Sequence, residues 1–189
     1  MPLNKVSDQH LLDQLLEVFR VHGYEGASLS LMSEATGLKR ASLYHRFPGG
    51  KEEMARSILE HADELFASEI LAPLNASGDP KARIRSMAKR LDEFYQGGRG
   101  SCLLDTLSLG DSNPGLLTGI QASIEAWTDA MAGIAREAGL SSTKARRRAE
   151  DSLVQIQGSL VVARITGDPA PFTRTLKALP ALLTDPNSH

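Results

Sequence analysis

Apolar side chains recur every three or four residues along nearly the whole chain, and nowhere do they alternate one by one over the length of a strand. A repeat of about 3.6 residues gathers them on one face of a helix, whereas a half-buried strand requires a period of two. The spacing therefore predicts an all-α fold of roughly nine helices.

Helix signals divide the chain. Leu11, Leu12, Leu15, Leu16 and Phe19 form the first stripe, with Ser7 as a candidate N-cap and Gly23 just past the end. Short helices follow over about 30–36 and 40–47, stopped by Gly37 and by Pro48-Gly49-Gly50. A long helix carries Met54, Ile58, Ala62, Leu65 and Phe66. Asp79-Pro80 opens the next, which bears Ile84, Met87, Leu91 and Phe94. The stretch 99–112 is ambiguous. Asn113-Pro114 begins a helix through Leu117 to Ile134, and Ser141 or Ser142 caps another that ends near Gly167. The last starts at Asp168-Pro169, and Pro180 inside its pattern is expected to kink or shorten it.

The first three helices, with a tight turn at Gly37, fit a helix-turn-helix. On the third, Leu43 and Phe47 lie four apart and face inward, which leaves Lys39, Arg40, Ser42, Tyr44, His45 and Arg46 largely outward. Between residues 35 and 51 the charges are Lys39, Arg40, Arg46 and Lys51, with no acid. The chain as a whole carries a net charge of -2, so this is a local concentration and not a polybasic coat. Such a face, with small residues permitting close approach, can enter a DNA major groove about 12 Å wide. Lys51, at the start of the long helix, is placed where a phosphate would also meet free backbone N–H groups; a solvated lysine beside Glu52 and Glu53 fits equally.

From Gly23 to Met54 the sequence GYEGASLSLMSEATGLKRASLYHRFPGGKEEM resembles the TetR family of transcriptional regulators. The resemblance rests on Gly23-Tyr24, Thr36-Gly37, Leu43-Tyr44 with Phe47, and Lys51-Glu52 with Met54, in order and correctly spaced. It implies an N-terminal helix-turn-helix DNA-binding domain over 1–50 and a helical effector-binding and dimerisation domain over 51–189. It further implies that the third helix reads the groove, with Ser28, Lys39, Arg40, Ala41, Ser42, Tyr44, His45 and Lys51 at the DNA. Two departures stand out. Ala27 and Leu31 replace the usual threonine and acid, which leaves Ser28 or Ser30 to cap the second helix. The Pro48-Gly49-Gly50 connector is one residue longer than the commonest form.

The remaining sequence offers no catalytic centre: no GxSxG elbow, HExxH or Walker loop. One cysteine, Cys102, excludes an internal disulfide, and its Leu103-Leu104 neighbours suggest a buried thiol. His61, Asp63 and Glu64 lie on a polar helix face and read as solvated groups, not metal ligands, so neither metal nor cofactor is expected. The basic runs Lys81, Arg83, Arg85, Lys89, Arg90 and Lys144, Arg146, Arg147, Arg148 read as wet helix faces.

Bundles place ligand sites between facing helices. The candidate walls are Phe66, Phe94, Cys102, Leu103, Leu107, Ile124, Trp127 and Met131, residues that would serve a plain core as well. Leu153, Ile156, Leu160, Phe172 and Leu176 could form half of a four-helix dimer interface, or an intrachain core. The reading that follows is a homodimeric repressor of a pseudo-palindromic double-stranded operator, released by a small-molecule effector, with no membrane partner and a cytoplasmic location. An activator, a ligand-independent regulator, or a ligand carrier or enzyme with a vestigial helix-turn-helix are the alternatives.

Overall fold

The computed structural model describes residues 8–109 and 114–186; the cap expected at Ser7 and the helix start expected at Asn113 lie outside them. Among the described residues every regular element is helical: α1 (Asp8–Gly26), α2 (Leu29–Thr36), α3 (Arg40–Arg46), α4 (Gly50–Leu65), α5 (Pro80–Phe94), α6 (Leu103–Ser108), α7 (Pro114–Glu137), α8 (Ser142–Thr166) and α9 (Ala170–Thr184). A π-helical segment, Phe66–Leu71, follows α4 directly, and 3-10 turns occupy Ala72–Asn75 and Gln96–Gly98. No helix among the described residues is long and apolar enough to cross a membrane.

The chain forms two compact units. The first comprises residues 1–64 and 103–121, the second residues 65–102 and 122–189, a division different from the cut at residue 50 that the domain resemblance implies. The reason lies in α1. Its buried face, Leu11, Leu15, Val18 and Phe19, needs more cover than α2 alone can give, and α6 packs on it as well. The ambiguous stretch after residue 99 thus contains a real helix, whose Leu103, Leu104 and Leu107 are buried in the first unit. Gly23 allows that approach. Its φ of 65° and ψ of -177° interrupt the helical backbone of α1, and a Cβ there would stand 2.9 Å from the Thr106 carbonyl oxygen. Only glycine tolerates both conditions.

In the second unit α9 packs on α5 and α8. Leu153, Ile156, Leu160, Phe172 and Leu176 are all buried inside it, so the stripe considered for a dimer serves the intrachain core. The apolar groups that α8 exposes are on another face: Val154, Val162 and Ile165, at 70%, 46% and 76% exposure. α9 runs four residues past Pro180 instead of stopping there. Buried Leu176, Leu179, Leu182 and Leu183 fix the helix on both sides of the proline, and tertiary packing outweighs one missing backbone donor.

Two arginines and a histidine are more deeply engaged than a reading of wet helix faces predicts. Arg83 is buried, paired with Glu137 at 2.5 Å and donating to the Leu74 carbonyl. Arg148 is also buried. His61 is buried against α1, its Nε2 2.8 Å from Asp13 Oδ1, so it belongs to the interior of the first unit and not to a polar face. Arg146 stays half-exposed but meets Glu125, Asp129 and Glu150 at 2.6, 2.7 and 2.9 Å, tying α7 to α8.

A helix-turn-helix face and an enclosed apolar cavity

The turn between α2 and α3 is closed by its own side chains. Thr36 Oγ1 donates to the Met32 carbonyl (2.7 Å) and accepts from the Leu38 N–H (3.3 Å), while Gly37 takes the left-handed conformation at φ 67°. Ser28 is the N-cap of α2, its hydroxyl accepting the Leu31 N–H at 3.2 Å. Ser30, the other candidate cap, accepts from Arg40 Nη2 at 2.5 Å. That bond holds the guanidinium of α3 toward α2.

Leu43 and Phe47 are buried, as their spacing predicts, and they fix how α3 is rotated. The rotation leaves Lys39, Arg40, Ala41, Ser42, Tyr44 and His45 exposed, along with Ser28. Tyr44 is 47% exposed. Arg46 is turned aside to Asp8 at 2.9 Å. The exposed face of α3 therefore offers a lysine, an arginine, a serine, a phenol and an imidazole with no acid among them. This is the complement of phosphate oxygens and base-edge acceptors.

Lys51 sits differently from expectation. Its ammonium donates to the Glu25 carbonyl at the C-terminal end of α1 (3.1 Å) and lies 4.8 Å above the Tyr24 ring. A cation at the negative end of a helix dipole is well placed, so Lys51 ties α4 to α1. At the start of the same helix the N–H of Gly49 already donates to Glu53 Oε2 at 2.6 Å, a reach-back cap on α4. Burial, followed by the nearby Glu52 and Glu25 carboxylates, raises the pKa of Tyr24 and keeps its phenol protonated. No sequence signal pointed to the Lys51–Glu25 bond, because it joins a side chain to a backbone carbonyl 26 residues away.

The second unit encloses an apolar cavity of about 10 Å³ lined by Phe66, Ile70, Met87, Tyr95, Trp127 and Met131, with Leu153 and Ile156 completing it from α8. Of the eight candidate walls, Phe66, Trp127 and Met131 meet there. Phe94 is half-buried with its ring edge on Phe66 at 5.8 Å, Ile124 is half-buried, and Cys102 is buried elsewhere in this unit. Leu103 and Leu107 belong to the first unit. The cavity is small because Phe66 and Trp127 stack flat across it, with centroids 3.8 Å apart and planes 11° apart. Such a volume is about what one water needs and far below the several hundred Å³ of a small-molecule site.

A turn-linked helix pair with a cationic outer face, followed by a separate helical unit, defines a helix-turn-helix DNA-binding regulator. Residues 11–58 match the family of bacterial regulatory proteins, tetR family, and residues 80–178 match the C-terminal domain of LmrA/YxaF-like transcriptional regulators. The chain belongs to the TetR family and is a DNA-binding transcriptional regulator. It is 25% identical over 183 residues to the HTH-type transcriptional regulator LmrA of Bacillus subtilis, covering 94% of this chain and 96% of that one. It is 40% identical over 63 residues to the HTH-type transcriptional repressor ComR of Escherichia coli, covering 33% of this chain and 30% of that one. Among solved structures, a TetR transcriptional regulator from Legionella pneumophila superposes with a TM-score of 0.84 at 16% identity, covering 95% and 97% of the two chains.

Proposed function

We propose that the protein is a homodimeric repressor that leaves its operator when a small molecule occupies the second unit. What carries this reading is the acid-free outer face of α3, from Lys39 to His45, held outward by buried Leu43 and Phe47. The repressor named among its relatives supports the sign of regulation. The exposed apolar face of α8, at Val154, Val162 and Ile165, is where a second copy would pack. A two-fold axis would then present two α3 helices about one DNA turn apart, which calls for a pseudo-palindromic operator.

Release requires a ligand that binds the DNA-free conformation more tightly, since equal affinity shifts nothing. The cavity must widen to admit one, and the Phe66–Trp127 stack is what must part. Phe66 begins the π-helical segment that continues α4 without a loop, so its displacement is transmitted to the helix that Lys51 ties to α1. The test uses labelled DNA from the regions flanking the protein's own gene, found by mapping bound fragments. Binding should be salt-dependent, and candidate effectors should release the DNA while changing the emission of Trp127, the single tryptophan. A ligand that saturates the Trp127 signal without altering operator affinity would overturn the coupling.

A further inference from the structure

Outside the enclosed cavity the second unit carries a larger depression, an open groove of about 480 Å³ between α5 and α9. That volume lies in the range of small-molecule sites. Along one wall Lys81, Arg85 and Lys89 repeat every fourth residue of α5, a row about 12 Å long, and Lys177 faces them from α9. Asp92 is the one carboxylate in the lining, so the groove has three positive charges in excess within a chain of net charge -2. The carboxylates that could relieve this excess are poorly placed. Asp79 reaches Arg85 only at 3.8 Å and Glu93 reaches Lys89 at 3.7 Å, in exposed pairs that contribute little. Lys81 and Lys177 have no ion-pair partner among the described residues.

The N-terminus of α5 adds no further positive charge, because the Asp79 carboxylate already caps it at the Ala82 N–H; one more observation defines the ligand. The floor is apolar: buried Ala88 and Leu176, with Pro180, which brings a ring and no N–H. A free inorganic anion would leave that floor uncovered, and a neutral apolar molecule would leave the cations unpaired. We propose that this groove is a second ligand site, separate from the enclosed cavity, for a small anionic amphiphile. Its acid group meets the cations that line the groove, and its apolar body lies on Ala88, Leu176 and Pro180. Four cations along one groove favour a doubly charged head such as a phosphomonoester.

The experiment is calorimetric titration of the full chain with octyl phosphate below its micellar concentration, with inorganic phosphate and octanol titrated in parallel. Octyl phosphate should bind at least tenfold more tightly than either. Lys81→Glu combined with Lys177→Glu should weaken it by tenfold or more. Ala181→Glu, which places a carboxylate on the exposed rim, should weaken it similarly while the thermal melt stays at the parent value. Trp127 emission should not change, because Trp127 does not line the groove. Equal binding of octyl phosphate and inorganic phosphate would overturn the proposal. So would octyl phosphate affinity that survives the double lysine substitution, or that comes with a shift in Trp127 emission.

Discussion

Replacing Lys51 with alanine separates two roles that the sequence left merged. The side chain makes a 3.1 Å hydrogen bond to the Glu25 carbonyl and a cation–π contact 4.8 Å from the Tyr24 ring centre. A half-exposed bond from a charged donor contributes about 1 kcal/mol, and an exposed cation–π contact about 0.5–1 kcal/mol. Their loss should destabilise the chain by about 1.5–2 kcal/mol, and at 2–4 °C per kcal/mol for a chain of this size the melt should fall by roughly 3–8 °C. If the ammonium also neutralises an operator phosphate, the slope of log affinity against log salt should become shallower by about 0.9. Differential scanning calorimetry reads the first effect and fluorescence anisotropy of labelled operator at several salt concentrations reads the second. An unchanged melting temperature would refute the structural tie. An unchanged slope would remove Lys51 from the phosphate contacts and leave it as the brace between α1 and α4.

Gly23→Ala must adopt φ 65° and ψ -177° and place a methyl group 2.9 Å from a backbone oxygen of α6, so a loss of about 2–4 kcal/mol is expected in denaturant titration; a loss under about 0.5 kcal/mol would contradict the packing of α1 on α6. Phe66→Ala removes half of the buried aromatic stack, and a loss of about 3–5 kcal/mol should accompany a changed Trp127 emission maximum; an unmoved spectrum would contradict the stack. The hydrogen bond from Arg146 holds the Glu125 carboxyl below the ordinary range. A depressed native pKa contributes stability above the unfolded value and loses it as pH falls through the native one. The thermal advantage of the parent chain over Glu125→Gln should therefore be present at neutral pH and vanish on acidification below about pH 4, and a pH-independent difference would exclude the carboxylate as its source.

The readable parts of this chain were those governed by local rules. The Leu43–Phe47 spacing set the rotation of α3 and hence which side chains face out, and Thr36-Gly37 announced the turn. The Asp79-Pro80 pair marked the start of α5, where Asp79 caps the Ala82 N–H. Long-range partners were not readable. His61 and Arg83 are polar residue types at positions whose burial is decided by α1 and by Glu137, each about 50 residues away. The cavity walls behaved likewise. Periodicity showed that Trp127 and Met131 were inward and left the stretch that holds Leu103 and Leu107 open, and it did not show that the two pairs belong to different units. The same limit applies to Leu153 and Ile156, because an apolar stripe records that something covers it and not what does.

The placement of Trp127 has a consequence for how the unfolding of this protein is measured. Its indole lies wholly within the second unit, and the first unit contains no tryptophan at all. An emission-detected melt therefore follows the loss of one unit and is blind to the other, whereas far-ultraviolet dichroism sums the helices of both. Disagreement between the two midpoints would measure how independently the DNA-reading unit comes apart, a quantity that a single transition temperature conceals.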